Sequence, residues 1–171
     1  MKKLAIFVSM LLGASTFAQS VYDKSEVVEI ANTPSATLST RAVEYLKSKK
    51  FDPKQVGPTI NGMGAFTVTY PSVKRGMQET GKVVFKIAIT VKDNKYRIVL
   101  SNFMHEGIKG QATGGSLDAE KPVCGETQIS NIAWIKIKEQ AKGMTESFIP
   151  EIKANMDAVK PKADKKAETD F

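Results

Sequence analysis

His105 and Cys124 are the one histidine and the one cysteine of a 171-residue chain, and their types are those best suited to catalysis. A thiol becomes a strong nucleophile when a nearby base takes its proton. A thiol-dependent or hydrolytic enzyme would therefore need the alternative reactive pair, Cys124 and His105, within hydrogen-bond reach. The competing reading packs Cys124 as a small apolar side chain. Glu106 adjoins His105, but neighbours in a strand leave on opposite faces, so the two do not converge on one substrate. One histidine and one cysteine are too few for a zinc or iron–sulfur site, and a single cysteine excludes an intrachain disulfide. Gly107-Ile108-Lys109-Gly110 matches the backbone-clamping loop of RNA-binding KH domains only in its glycine spacing. No phosphate loop ending in Gly-Lys-Ser/Thr is present. These residues predict no catalytic set, no cofactor and no metal.

The elements that would position them follow from periodicity. Val27, Val28 and Ile30 predict a first strand within Tyr22–Ala31. Thr33-Pro34 then predicts a helix start, with a cap and a proline at the first helical position. Leu38, Ala42, Tyr45 and Leu46 recur at helical spacing, so a first helix should run to about Lys50 with one buried stripe. Residues 51–62, with Pro53, Gly57 and Pro58, read as loop. Phe66, Val68 and Tyr70 alternate with Ala65, Thr67 and Thr69 to give a second strand that Pro71 ends. Val83, Phe85, Ile87, Ile89 and Val91 then hold every second position. Asp93-Asn94 supplies a two-residue turn into a returning strand at Tyr96–Phe103.

That turn sets Val91 against Tyr96, Ile89 against Ile98 and Ile87 against Leu100, all apolar and on one face. A one-residue slip would put Arg97 opposite Ile89. The same register sends Val84, Lys86, Ala88 and Thr90 to the other face, opposite Phe103, Ser101, Val99 and Arg97. Two helices can cover only one side of a single sheet. Apolar pairs inside a basic rim then make Val84, Lys86, Arg97, Val99 and Phe103 a candidate binding face. The competing expectation is that the glycine-rich segment 106–128 folds over this face and covers Phe103.

Segment 106–128 reads as a long irregular connection, with a short strand at Thr127–Ile129 as an alternative. Ser130 is placed to cap a final helix, and Ile129 to staple against Trp134. Trp134, Ile137, Ala141, Met144 and Phe148 form its apolar stripe. Pro150 predicts a kink or restart, after which Ile152 and Met156 continue the stripe. From Asp157 to Phe171 the composition turns to Lys, Asp, Glu, Ala and Pro without a period, which predicts a disordered charged tail.

Met1-Lys2-Lys3, the apolar run Leu4–Leu12 and Thr16-Phe17-Ala18 form the three parts of a signal peptide over residues 1–18. The run is shorter than the roughly 20 residues a spanning helix needs, so no membrane span is expected after cleavage. Cleavage removes two of 25 basic residues and none of 18 acidic ones, leaving a net charge of +5. Such a charge suits nucleic acid or an anionic surface. Export to the periplasm or out of the cell argues against nucleic acid. The partners expected are an envelope protein or a small anionic or amphipathic ligand, with a homodimer as an open alternative.

Tyr96-Arg97-Ile98, Ser101-Asn102-Phe103-Met104-His105-Glu106-Gly107, Gly114-Gly115-Ser116-Leu117, Glu120-Lys121-Pro122-Val123-Cys124-Gly125 and Trp134-Ile135-Lys136 together carry a resemblance. The chain resembles family 4468 of the domains of unknown function, small exported bacterial proteins with a TATA-binding-protein-like fold. The resemblance covers about Val27 to Met156 and is strongest over Lys82–Ala141. It implies a curved antiparallel sheet covered by two helices, and it brings no catalytic residues. The expectation is one α+β domain over residues 19–156, with about four to five strands and two helices on one face. Its expected role is that of an exported, non-enzymatic binding or interaction module.

Overall fold

A computed structural model describes Ser20 and residues 22–157; the signal segment 1–18 and the tail beyond Asp157 lie outside the described residues. In chain order the elements are β1 (Lys24–Glu29), α1 (Ser35–Ser48), β2 (Lys54–Val56), β3 (Thr59–Pro71), β4 (Gln78–Lys92), β5 (Lys95–Gly107), β6 (Gly115–Ser116) and α2 (Asn131–Asp157). The strands form one antiparallel sheet in the order β1-β5-β4-β3-β2, and β6 joins β5. The architecture is α+β with two helices, as expected, and its six strands exceed the four to five read from the sequence.

Val91 pairs with Tyr96, Ile89 with Ile98 and Ile87 with Leu100, so the hairpin register is the expected one. Asn94 takes the positive φ of 62° at the turn. That turn also starts α1. Asp93 Oδ1 accepts the Ser35 N–H at 2.8 Å, and Asn94 Oδ1 accepts the Thr33 N–H at 3.0 Å. The Thr33 hydroxyl instead donates to Ala31 O, and Pro34, not Thr33, occupies the cap position. Proline has no side-chain acceptor, and the first helical N–H, that of Ser35, is met by the neighbouring turn.

The expected loop over 51–62 is a strand pair instead. Gly57-Pro58 makes a two-residue turn, with Gly57 at φ 57° and Val56 opposite Thr59. Gly62 and Gly64 hid the strand, because glycine weakens any strand pattern. The Phe85 ring lies over Gly64, where an added Cβ would stand 2.2 Å from it. Thr127–Ile129 is not a strand; the short strand of this connection is β6, beside Met104 and His105.

A β-bulge redirects the end of β5. Lys86 pairs with Ser101, but Val84 pairs with Met104, so Phe85 faces both Asn102 and Phe103. Asn102 carries the extra residue's positive φ of 57°. The expected pair of Val84 with Phe103 is therefore replaced. Phe103 turns inward, 2% exposed, and stacks on Phe85 with ring centroids 5.1 Å apart and planes 9° apart.

Both helices pack on the inner face, over Val83, Phe85, Ile87, Ile89, Tyr96, Ile98 and Leu100. Ser130 caps α2 through the Ala133 N–H at 3.2 Å, and Ile129 and Trp134 are both buried. The helix continues through Pro150 without a restart, and Ile152 and Met156 are buried as expected. Met144 is 38% exposed, and Thr145 holds its place in the stripe. A stripe at 3.6 residues per turn advances by threes and fours, and here the step after Ala141 is four.

Candidate functional site

The face of the sheet opposite the helices carries the candidate site. Rows of side chains cross it from strand to strand. Val27, Arg97 and Thr90 form one row, Ser25, Val99 and Ala88 the next, and Ser101, Lys86 and Met63 another. A depression of about 400 Å³ opens over Lys54, Asn61, Met63, Lys86, Ala88 and Ser101, with Asp52 at its rim. Met63 is 51% and Val27 60% exposed. Arg97 Nε donates to Ser25 Oγ at 3.0 Å, which lays its guanidinium across β1. Lys82 pairs with Glu106 at 2.8 Å. Among the described residues, neither Lys54 nor Lys86 is held in an ion pair.

Four of the five predicted face residues, Val84, Lys86, Arg97 and Val99, therefore share this side. Phe103 does not, because the bulge carries it into the core. The glycine-rich connection is anchored on the helix side. Leu117 is buried and its N–H donates to Phe103 O, while Trp134 Nε1 and Lys138 Nζ both donate to Ala119 O. Lys54, Asn61 and Met63 were missed because their segment was read as loop. Lys54-Gln55-Val56 before Gly57-Pro58, with Thr59-Ile60-Asn61 after it, was the hairpin signal that could have found them.

His105 lies elsewhere, inside one end of the core, and Cys124 is half-buried against that core. His105 is 0% exposed, between the rings of Tyr70 and Trp134. Gly114 N–H donates to its Nδ1 at 3.0 Å, so the neutral ring carries its proton on Nε2. Nε2 lies against Gly81, where a Cβ would be 2.2 Å away, and has no hydrogen-bond partner among the described residues. Burial pushes the imidazole down to about 4, against a small opposing pull from Glu106. Glu106 itself leaves on the outer face, so this adjacent pair diverges as expected. The Cys124 thiol donates to Gly125 O at 3.8 Å, and burial pushes it up. No hydrogen bond joins Cys124 to His105. The Gly107–Gly110 segment is a turn in which Lys109 and Gly110 take positive φ and Gln111 N–H donates to Ile108 O. Among the described residues no group of three or more His, Cys, Asp or Glu is placed to hold a metal. None of their helices is long and apolar enough to cross a membrane.

The whole chain matches no family model and no curated protein. Solved structures do match it. A DUF4468 family protein from Bacteroides ovatus ATCC 8483 aligns with a TM-score of 0.54 and 15% identity, over 81% of this chain and 89% of that one. A TBP-like protein from Parabacteroides distasonis ATCC 8503 aligns with a TM-score of 0.55 and 19% identity, over 78% and 91%. The fold is TATA-binding-protein-like. In this fold both helices back one side of the sheet, and no helix among the described residues lies on the other. Both neighbours agree with the resemblance carried by the motifs between Tyr96 and Lys136.

Proposed function

We propose that the protein is a non-enzymatic binding module that acts in the periplasm or outside the cell, and that the helix-free face of its sheet is the binding surface. The observation that carries this reading is Lys54, Lys86 and Arg97 standing around Met63, Ala88 and Val99 on an uncovered face. Cationic groups around small apolar side chains suit a ligand with an anionic head and an apolar flank, or an envelope protein with the same surface chemistry. A buried neutral His105 and a Cys124 thiol held to Gly125 support the non-enzymatic side of the proposal. The hydrolytic or thiol-dependent alternative needs these two groups to meet at a substrate.

The test uses residues 19–171, with oleate and dodecyl phosphate as anionic probes and dodecyl maltoside as the neutral control. Shift mapping by nuclear magnetic resonance should centre on Lys86, Ala88 and Val99 for the anionic probes. The double variant Lys86→Glu, Arg97→Glu should weaken their binding by roughly tenfold, about 1.4 kcal/mol. Equal binding of the maltoside, or shifts centred elsewhere, would overturn the proposal.

A further inference from the structure

The free edge of β3 is a second place where the chain leaves a chemical demand open. Pro58 O accepts the Val91 N–H at 2.9 Å, so even-numbered residues of β3 turn their backbone groups toward β4 and odd-numbered ones toward the other edge. β2 takes Thr59 and Asn61. Met63 N–H donates to Phe51 O at 3.2 Å. Thr69 is held on both sides by one side chain of α2: its N–H donates to Gln140 Oε1 at 3.2 Å, and Gln140 Nε2 donates to Thr69 O at 2.9 Å. Between these stops lie Ala65 and Thr67, both exposed, and among the described residues no neighbouring strand meets their outward backbone groups.

An amide that satisfies both backbone groups of one residue imitates an adjoining strand. Beside it, a groove of about 340 Å³ runs between Thr69 and Pro71 on one side and Ile132, Ile135, Lys136 and Glu139 on the other. Ile132 is 72% and Ile135 57% exposed. Neither isoleucine belongs to the stripe that packs α2 on the sheet.

We propose that this edge is a strand-addition site for a short extended peptide of a partner protein, with apolar side chains at alternate positions. The peptide backbone pairs with Ala65 and Thr67 and displaces Gln140 from Thr69. Its side chains on the helix side then lie on Ile132 and Ile135. A second copy fits less well. β2 already holds this edge at Thr59–Asn61, so two-fold pairing of β3 with itself is confined to Met63–Thr69.

The probe is the capped pentapeptide Thr-Val-Thr-Val-Thr, with two backbone N-methylated versions, one at positions 2 and 4 and one at 1, 3 and 5. A strand bonds to its neighbour through one of these sets only. On residues 19–171, the unmethylated peptide should slow hydrogen exchange at Ala65 and Thr67 by roughly tenfold, and one methylated version should bind while the other fails. Gln140→Ala should tighten binding several-fold and extend protection to Thr69. Three results would each overturn the proposal: no protection at Ala65 and Thr67, equal binding of the two methylated versions, or peptide-free dimerisation of the Gln140→Ala variant in sedimentation.

Discussion

The two faces of the same hairpin have opposite lives. On the inner face, Phe85, Ile87, Ile89, Ile98, Leu100 and Phe103 are buried under two helices. On the outer face, Lys86 and Arg97 are exposed, and Ala88 and Val99 lie half-buried between strands. Strand alternation alone divides the two sets, and one extra residue at Asn102 moves Phe103 from one to the other. A face is therefore a property of register. A single bulge reassigns every side chain beyond it.

The strongest way to break this comparison is a charge on each side. Phe103→Asp buries a carboxylate against Phe85 and Tyr22 and should cost about 5 kcal/mol, seen as a collapse of the urea midpoint. Lys86→Glu on the outer face should stay within about 0.5 kcal/mol of wild type. Similar midpoints for the two would abolish the distinction between faces.

Trp134→Ala tests the helix side. The indole is 1% exposed, fills the space above Gly114 and donates to Ala119 O at 3.2 Å. Its truncation should cost about 3–5 kcal/mol in urea unfolding. An unchanged midpoint would mean that α2 does not hold the core closed.

His105 sharpens the comparison through pH. Its folded value of about 4 lies below the ordinary 6.5 because burial disfavours the cation. The unfolded chain therefore binds the proton first as pH falls. The contribution is fully present above pH 6.5 and is lost toward pH 4, up to about 3 kcal/mol. Thermal unfolding across that range should show the loss, and His105→Gln should remove its pH slope. An equal slope in the variant would place the dependence elsewhere.

The smallest effect lies at the end of α1. Lys50 holds a positive φ of 61° in the turn where Phe51 N–H donates to Leu46 O at 2.9 Å. Glycine adopts that conformation without strain, so Lys50→Gly should raise stability by about 1 kcal/mol. A lowered melting temperature would show that the lysine side chain holds that turn.

Much of the scaffold was legible in local pattern. Val83 to Val91 and Tyr96 to Leu100 specified their own register, because a slip would put Arg97 into the core. Ser130, Ile129 and Trp134 marked the start of α2 through capping and stapling, which depend only on residues a few positions apart. The candidate face was legible to the same extent, through Lys86, Arg97 and Val99. Its other half was not: Gly62 and Gly64 break the strand pattern, and what places them in a strand is the Phe85 ring and Phe51 O above them.

The amino-acid sequence by itself determined the alternation, the hairpin turn and the helical stripes, since each arises from backbone geometry repeating over a few residues. Tertiary structure decided the rest. The Asp93-Asn94 turn caps a helix that lies 58 residues away in the chain from the capping carboxylate to the capped N–H. The bulge at Asn102 sends Phe103 inward, where it stacks on the Phe85 ring of the neighbouring strand. Cys124 and His105 are not joined: Gly114 N–H donates to the imidazole's accepting nitrogen, and the thiol donates to Gly125 O. Those outcomes depend on which groups meet across long stretches of chain, and spacing along the sequence carries no record of that.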